Sequence, residues 1–154
     1  MSIAAAALVS VAVVGCASAA SGAGHQSGAT PSGEGGFAGY KWQVVAIDHA
    51  GQETPIPARY NVYLAFTANG EFGANDPLNY HGGTYRVVGD GFTTVSNYNS
   101  LVGYVGKDPV TLLAVNAISA FNSGVHATAT VTGDRLTVSV GDYLLTCQRN
   151  GTQG

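Results

Sequence analysis

Val125-His126-Ala127-Thr128-Ala129-Thr130-Val131-Thr132-Gly133-Asp134-Arg135-Leu136-Thr137-Val138-Ser139-Val140 is the stretch whose pattern decides the fold. Val125, Ala127, Ala129 and Val131 alternate with His126, Thr128 and Thr130; past Gly133-Asp134, Leu136, Val138 and Val140 alternate with Arg135, Thr137 and Ser139. A period of two puts successive side chains on opposite faces of a strand, so each of these strands has one buried face and one wet face. Gly133-Asp134 and Gly141-Asp142 supply turns, and Tyr143 to Arg149 completes a closing meander.

Upstream the same period recurs. Trp42, Val44 and Ala46 share one face of a first strand, Val62, Leu64 and Phe66 one face of a second, and a Pro-containing loop separates them. Ala68-Asn69-Gly70 reads as a hairpin turn, because Asn and Gly tolerate positive φ, with Glu71 to Ala74 returning antiparallel. Thr84 to Val88 and Phe92 to Ser96 form a further hairpin around Gly89-Asp90-Gly91, and Asn97 to Lys107 reads as a loop or weak strand. One helix opens at Asp108, an N-cap, with Pro109 at the first helical position, and runs to about Phe121. Val110, Leu113, Ala117 and Phe121 line one side, widened by Ala114 and Ile118, and Asn122-Ser123-Gly124 end it. The helix is uncharged, which predicts broad packing against the strands. The class expected is mainly β (α+β): an antiparallel, strongly twisted sheet or partly closed β-barrel with one helix packed on it.

The front of the chain differs in kind. Ile3 to Gly15 is Ala and Val with one Leu and one Ser, the length of an export signal's apolar region and short of the roughly 20 residues of a spanning helix. Val13-Val14-Gly15-Cys16 resembles a bacterial lipobox. Residues 1–15 are therefore expected to be a lipoprotein signal peptide cut between Gly15 and Cys16, with Cys16 acylated and holding the chain on a membrane. The first charged residue is Glu34 and the first lysine Lys41, so the positive start of such a signal is missing, and the true signal is expected to begin further upstream. Residues 16–39 are mostly Gly, Ser and Ala and read as a flexible tether, spanning about 25–30 Å root-mean-square if a free coil. Residues 40–154 are the expected domain.

Cys16 and Cys147 are the two cysteines. With Cys16 acylated, Cys147 is an exported lone thiol, best kept by burial; the alternative is a Cys16–Cys147 disulfide. Six basic residues against nine acidic give a formal charge of −3, and the bases are scattered singly, which leaves no stripe for nucleic acid or anionic lipid.

Gly73-Ala74-Asn75-Asp76-Pro77-Leu78-Asn79-Tyr80-His81-Gly82-Gly83-Thr84-Tyr85 is similar to the signature of the META domain family, the HslJ-like bacterial envelope proteins. In that family a Gly and an Asn-Asp pair lead into an Asn, with a Gly four and a Tyr six residues beyond it. Asn75, Asp76, Asn79, Gly83 and Tyr85 occupy those positions. Trp42, the Asn-Gly turn, the late helix and Gly133-Asp134 with Leu136 frame the motif as in the family. Two departures stand out: Leu78 fills a position where many members carry Cys, and His81 fills an aromatic one. The resemblance implies a compact antiparallel β domain with a helix, exported, often lipid-anchored, and linked to envelope stress or drug tolerance; it supplies no catalytic residues. By their own chemistry Asn75 and Asp76 can bond nearby backbone, Pro77 fixes a turn, Gly82 and Gly83 permit close backbone approach, and Tyr85 packs and hydrogen-bonds, so the motif reads as a structural corner.

Catalytic chemistry is poorly represented. Asp76 and His81 lie five residues apart, and Ser96 or Ser100 could serve as nucleophile, but no G-x-S-x-G word surrounds either serine. His49, His81 and His126 stand isolated, without metal-ligand spacing, and no cofactor is implied. Tyr80, Tyr98 and Tyr104 read as loop residues, with Tyr98 and Tyr104 as a candidate contact surface. The expected function is that of a non-catalytic, monomeric, lipid-anchored envelope protein, a binding or stress-tolerance module whose partner is a protein, glycan or lipid. The alternative is a carrier of a small apolar ligand or lipid in a barrel cavity, with a small hydrolase behind both. The expected location is the bacterial cell envelope, with secretion as the alternative.

Overall fold

All strand pairings are antiparallel in the computed structural model, which describes residues 36–153. The expected signal peptide and Cys16 lie outside the described residues. In chain order the strands are β1 (Tyr40–His49), β2 (Gln52–Pro55), β3 (Tyr63–Phe66), β4 (Glu71–Asn75), β5 (Tyr80–Val88), β6 (Gly91–Asn99), β7 (His126–Thr132), β8 (Arg135–Val140) and β9 (Tyr143–Thr152), with α1 (Pro109–Ser119) between β6 and β7. Each strand from β3 to β9 pairs with the next, β1 pairs with β3, and β9 pairs back onto β1 along nearly its whole length. The sheet thereby closes into an eight-stranded barrel, with β2 folded back outside it on the Ala46–His49 half of β1.

Closure explains the core. A barrel of about eight strands has an interior just wide enough to be filled by side chains. Phe66 meets Phe37, Tyr85 and Phe92 there edge to face, with centroids 4.8 Å apart for Phe37 and Phe66 and 4.9 Å for Phe66 and Phe92. Each ring so buried contributes about 1.5–3 kcal/mol. Phe37 is fully buried and its carbonyl accepts the Trp42 indole N–H at 2.9 Å, so Phe37, expected to belong to the tether, packs with the domain. The large ring draws the chain ahead of β1 into the barrel.

Alternation fails at one place in β1. Trp42, Val44 and Ile47 are the buried residues, because the register with β9 shifts between Val44 and Ala46; the extra residue turns Ala46 out of the inward row expected of it. The segment expected to be only a loop holds β2, reached by a tight turn at Ala50 (φ 55°) and Gly51 (φ 80°). Gln52-Glu53-Thr54-Pro55 lies outside the barrel with no face to bury, so it carries no apolar alternation.

α1 is capped as its sequence dictates, the Asp108 carboxylate accepting the Thr111 N–H at 2.9 Å. Ala114, Ala117, Ile118 and Phe121 enter the core. β6 and β7 pair only over Gly91–Thr93, and beyond that point Asn97 Nδ2 on β6 donates to the Phe121 carbonyl at 2.6 Å. The chain after the helix thus takes the place that a longer β7 would fill. Cys147 faces inward between its cross-strand partners Val44 and Leu136 with no exposed surface, and burial pushes its thiol pKa up to about 12.

Candidate functional site

β4 and β5 carry the motif residues, and they distribute them to two sides of the barrel wall. On the inside, Asp76 holds the turn between the strands. Its Oδ1 accepts the N–H groups of Leu78 at 2.7 Å and Asn79 at 2.8 Å, while its own N–H donates to the Asn79 carbonyl at 3.0 Å. Its Oδ2 accepts from Nε2 of His81 at 2.8 Å, and the two side chains are 0% and 4% exposed. Burial alone would raise the Asp76 pKa, but the His81 hydrogen bond, the two backbone N–H groups and the His81 charge together outweigh it, so the carboxyl titrates below its ordinary value.

Asn79 ties this corner to the following loop: its Oδ1 accepts the Val102 N–H at 2.7 Å and the Ser100 hydroxyl at 3.4 Å. Asn75 Nδ2 donates to the Asn61 carbonyl at 2.9 Å. Tyr85 lies inward after a register shift at Thr84 and donates its hydroxyl to the Thr67 carbonyl at 2.8 Å. At Gly83 a Cβ would fall on the Ser96 carbonyl oxygen, a backbone atom that cannot step aside. Asn75, Asp76, Asn79, Gly83 and Tyr85 are therefore all engaged in holding backbone, and Ser100 is drawn into the same network through the Tyr80 N–H at 3.0 Å. Ser96 lies on the opposite face of the sheet from His81, hydrogen-bonded to the Thr84 hydroxyl at 2.8 Å.

The outside of the same strands is different. Gly73 on β4 pairs with Gly82 on β5, which pairs with Tyr98 on β6, so one outward row across three strands has side-chain bulk only at its end. The Tyr98 ring lies over Gly82, where a Cβ would collide with it, and the Tyr80 hydroxyl reaches within 3.1 Å of where a Cβ on Gly73 would stand. Glycine lets the rings lie where they do, and the rings in turn cover backbone that glycine leaves bare. Tyr80 and Tyr98 are 43% and 63% exposed, with centroids 6.4 Å apart and planes inclined by 53°. Burial, the neighbouring tyrosines and Glu71 raise the Tyr80 pKa, in that order of direct cause.

The adjoining outward row, Glu71, Thr84 and Ser96, is polar. Between it and the rings lies a hollow of about 290 Å³, and a second of about 160 Å³ lies on the other side of Tyr80, reaching Thr67 and Gln153. Glu71 and Tyr80 border both. The Glu71 carboxylate takes no ion pair among the described residues.

Tyr80 and Tyr98 are strand residues and not the loop residues expected, because β5 begins four residues ahead of Thr84 and β6 runs three beyond Ser96. Tyr104 does lie in a loop, where its hydroxyl accepts the Asp108 N–H at 3.3 Å, ahead of α1. The loop around it exposes Leu101, Val102 and Val105. Glu71, Thr84, Ser96 and Tyr80 stand outside the contact surface expected from sequence; their common signal is the register of three strands, which spacing along one strand does not contain. No group of three or more metal-ligating side chains occurs among the described residues.

No family model and no curated protein matches the chain. Solved structures do. A protein from Burkholderia xenovorans, determined by NMR, is similar with a TM-score of 0.57 at 11% identity, covering 74% of this chain and 83% of that one. A second NMR structure is similar with a TM-score of 0.55 at 14% identity, covering 71% of this chain and 88% of that one. At these identities the likeness establishes a shared fold.

Proposed function

We propose that this chain is a non-catalytic, lipid-anchored protein of the bacterial cell envelope, of the META/HslJ-like type, that works as a binding module through the outer face of β4, β5 and β6. The observation that carries the binding reading is the exposed Tyr80–Tyr98 pair laid on Gly73 and Gly82 beside an unpaired Glu71. Large exposed rings cost solubility, and a strand row stripped of side chains costs strand stability, so their joint presence on a wet face is best accounted for by contact with a partner. The anchor rests on the Val13-Val14-Gly15-Cys16 word and the tether composition. No helix among the described residues is long and apolar enough to cross a membrane.

The non-catalytic reading is supported by the way the Asp76–His81 pair is spent. The histidine donates to the carboxylate, the carboxylate also caps a turn, and both serines are engaged elsewhere. The carrier alternative finds less support, because phenylalanine and tyrosine rings occupy the barrel interior.

Two experiments test the proposal. In cells fed a clickable fatty acid, the parent protein becomes labelled and Cys16→Ala does not; equal labelling rejects the anchor. In a deletion strain under envelope stress, the Tyr80→Ala/Tyr98→Ala double variant fails to restore tolerance at parental protein level, while Arg86→Ala on the same strand restores it. Full tolerance with the double variant rejects the outer face as the working surface.

A further inference from the structure

We infer that the outer hollows bind a neutral polysaccharide, with Tyr80 and Tyr98 stacking on sugar rings and Glu71, Thr84 and Ser96 hydrogen-bonding their hydroxyls. The inference rests on the outer face being the binding surface and adds the chemical class of the ligand.

Charge decides first. The only ionisable carboxylate among the residues lining the larger hollow is Glu71, and no lysine or arginine lines it, so an anion would meet uncompensated repulsion. A quaternary ammonium would find the carboxylate but only two rings, inclined by 53°, with glycine and hydroxyls completing the walls; recognition of such cations relies on rings closing around them. An apolar ligand would strip water from Glu71, Thr84 and Ser96 and return no hydrogen bond.

A neutral sugar meets each feature. A pyranose presents an apolar C–H face that covers an aromatic ring and a rim of hydroxyls that donate to a carboxylate and exchange hydrogen bonds with side-chain hydroxyls. The Tyr98 ring covers Gly82, the Tyr80 hydroxyl reaches over Gly73, both residues remain exposed, and the polar row Glu71, Thr84, Ser96 runs alongside. The larger hollow, about 290 Å³, stands at the lower end of the roughly 300–1,000 Å³ usual for small-molecule sites and suits a sugar ring. The second hollow, past Tyr80, continues the track toward Thr67 and Gln153, whose hydroxyl and amide offer the same kind of contact. Two hollows sharing Glu71 and Tyr80 fit successive units of a chain better than one free sugar.

The test is an amide-shift titration of the isotope-labelled full chain carrying Cys16→Ala. The probes are neutral hexasaccharides of β-1,4-glucose, α-1,4-glucose and β-1,4-N-acetylglucosamine, the corresponding monosaccharides, and choline chloride. At least one hexasaccharide is expected to give saturable shifts confined to β4, β5 and β6 around Glu71, Gly73, Gly82 and Tyr98. It should bind about tenfold or more tighter than its monosaccharide, and Tyr98→Ala should weaken it by about tenfold while Tyr98→Phe retains most of the affinity. No saturable shift with any hexasaccharide, shifts elsewhere on the barrel, undiminished binding by Tyr98→Ala, or saturation by choline alone would each overturn the inference. If hexasaccharides fail while the tyrosine double variant still fails in cells, the ligand class is wrong and the binding face stands; if both results are negative, the face itself is rejected.

Discussion

Tyr80 and His81 are neighbours in the chain and point to opposite sides of one strand, and the two sides hold their polar groups in opposite ways. Inside, His81, Asp76, Asn79 and the backbone around them satisfy one another, and the pair is almost completely buried. Outside, Tyr80, Tyr98 and Glu71 are arranged around bare glycine and remain exposed to solvent. The pleat of the sheet divides a single motif: residues that satisfy one another in the corner face in, and residues left exposed face out.

The comparison breaks most visibly on the inner side. Asp76→Ala leaves His81 without its partner and two turn N–H groups without an acceptor, and urea unfolding should show a loss of about 3–5 kcal/mol. A loss below about 1 kcal/mol would mean that the corner is held by other contacts. The adjacent glycines sharpen the contrast. Gly83→Ala drives a Cβ into the Ser96 carbonyl and should cost about 1–3 kcal/mol, whereas Gly82→Ala meets only the Tyr98 ring, which can swing into solvent, and should cost about 1 kcal/mol. Reversal of that order would show the Tyr98 ring to be fixed.

Acid titration separates the faces by another route. Folded Asp76 ionises below its ordinary 3.8, so the stability it confers is present in full above that value and is lost as pH falls through its lower folded-state pKa. Asp108 behaves likewise through its hydrogen bonds to Thr111, so Asp76→Asn should remove part of the loss of stability below about pH 4 and leave the rest. An unchanged acid limb would contradict the charged state assigned to Asp76. The smallest effect is expected outside, where Tyr98→Ala should change unfolding stability by about 0.2–1 kcal/mol, the size of a cross-strand pair.

Much of the fold was legible because strands with one wet face write their period into the chain. Leu136, Val138 and Val140 are buried as their alternation requires, and Asp108-Pro109 marks the helix start to the residue. Barrel closure was less legible, since pairing of β9 with β1 joins residues about a hundred apart and leaves no local signature. The bulge at Val44–Ala46 was hidden because either continuation leaves an apolar residue facing in. For the site, Asp76 and Tyr85 carry local signals, a turn-capping carboxylate before Pro77 and an aromatic in a strand. The outer face does not: Gly73, Gly82 and Tyr98 form a row only through two strand registers, and a shared reading as loop residues grouped Tyr98 with Tyr104, which the structure places ahead of α1.

The central claim is that the outer rings are presented to a ligand and are not needed by the fold, while the inner corner holds the fold. Urea unfolding of the Tyr80→Ala/Tyr98→Ala double variant tests it most directly. A stability within about 2 kcal/mol of the parent, with the transition slope unchanged, is the predicted result. A loss of about 3 kcal/mol or more would contradict it, because the rings would then be structural cover for Gly73 and Gly82 in the same sense that Asp76 is structural for its turn.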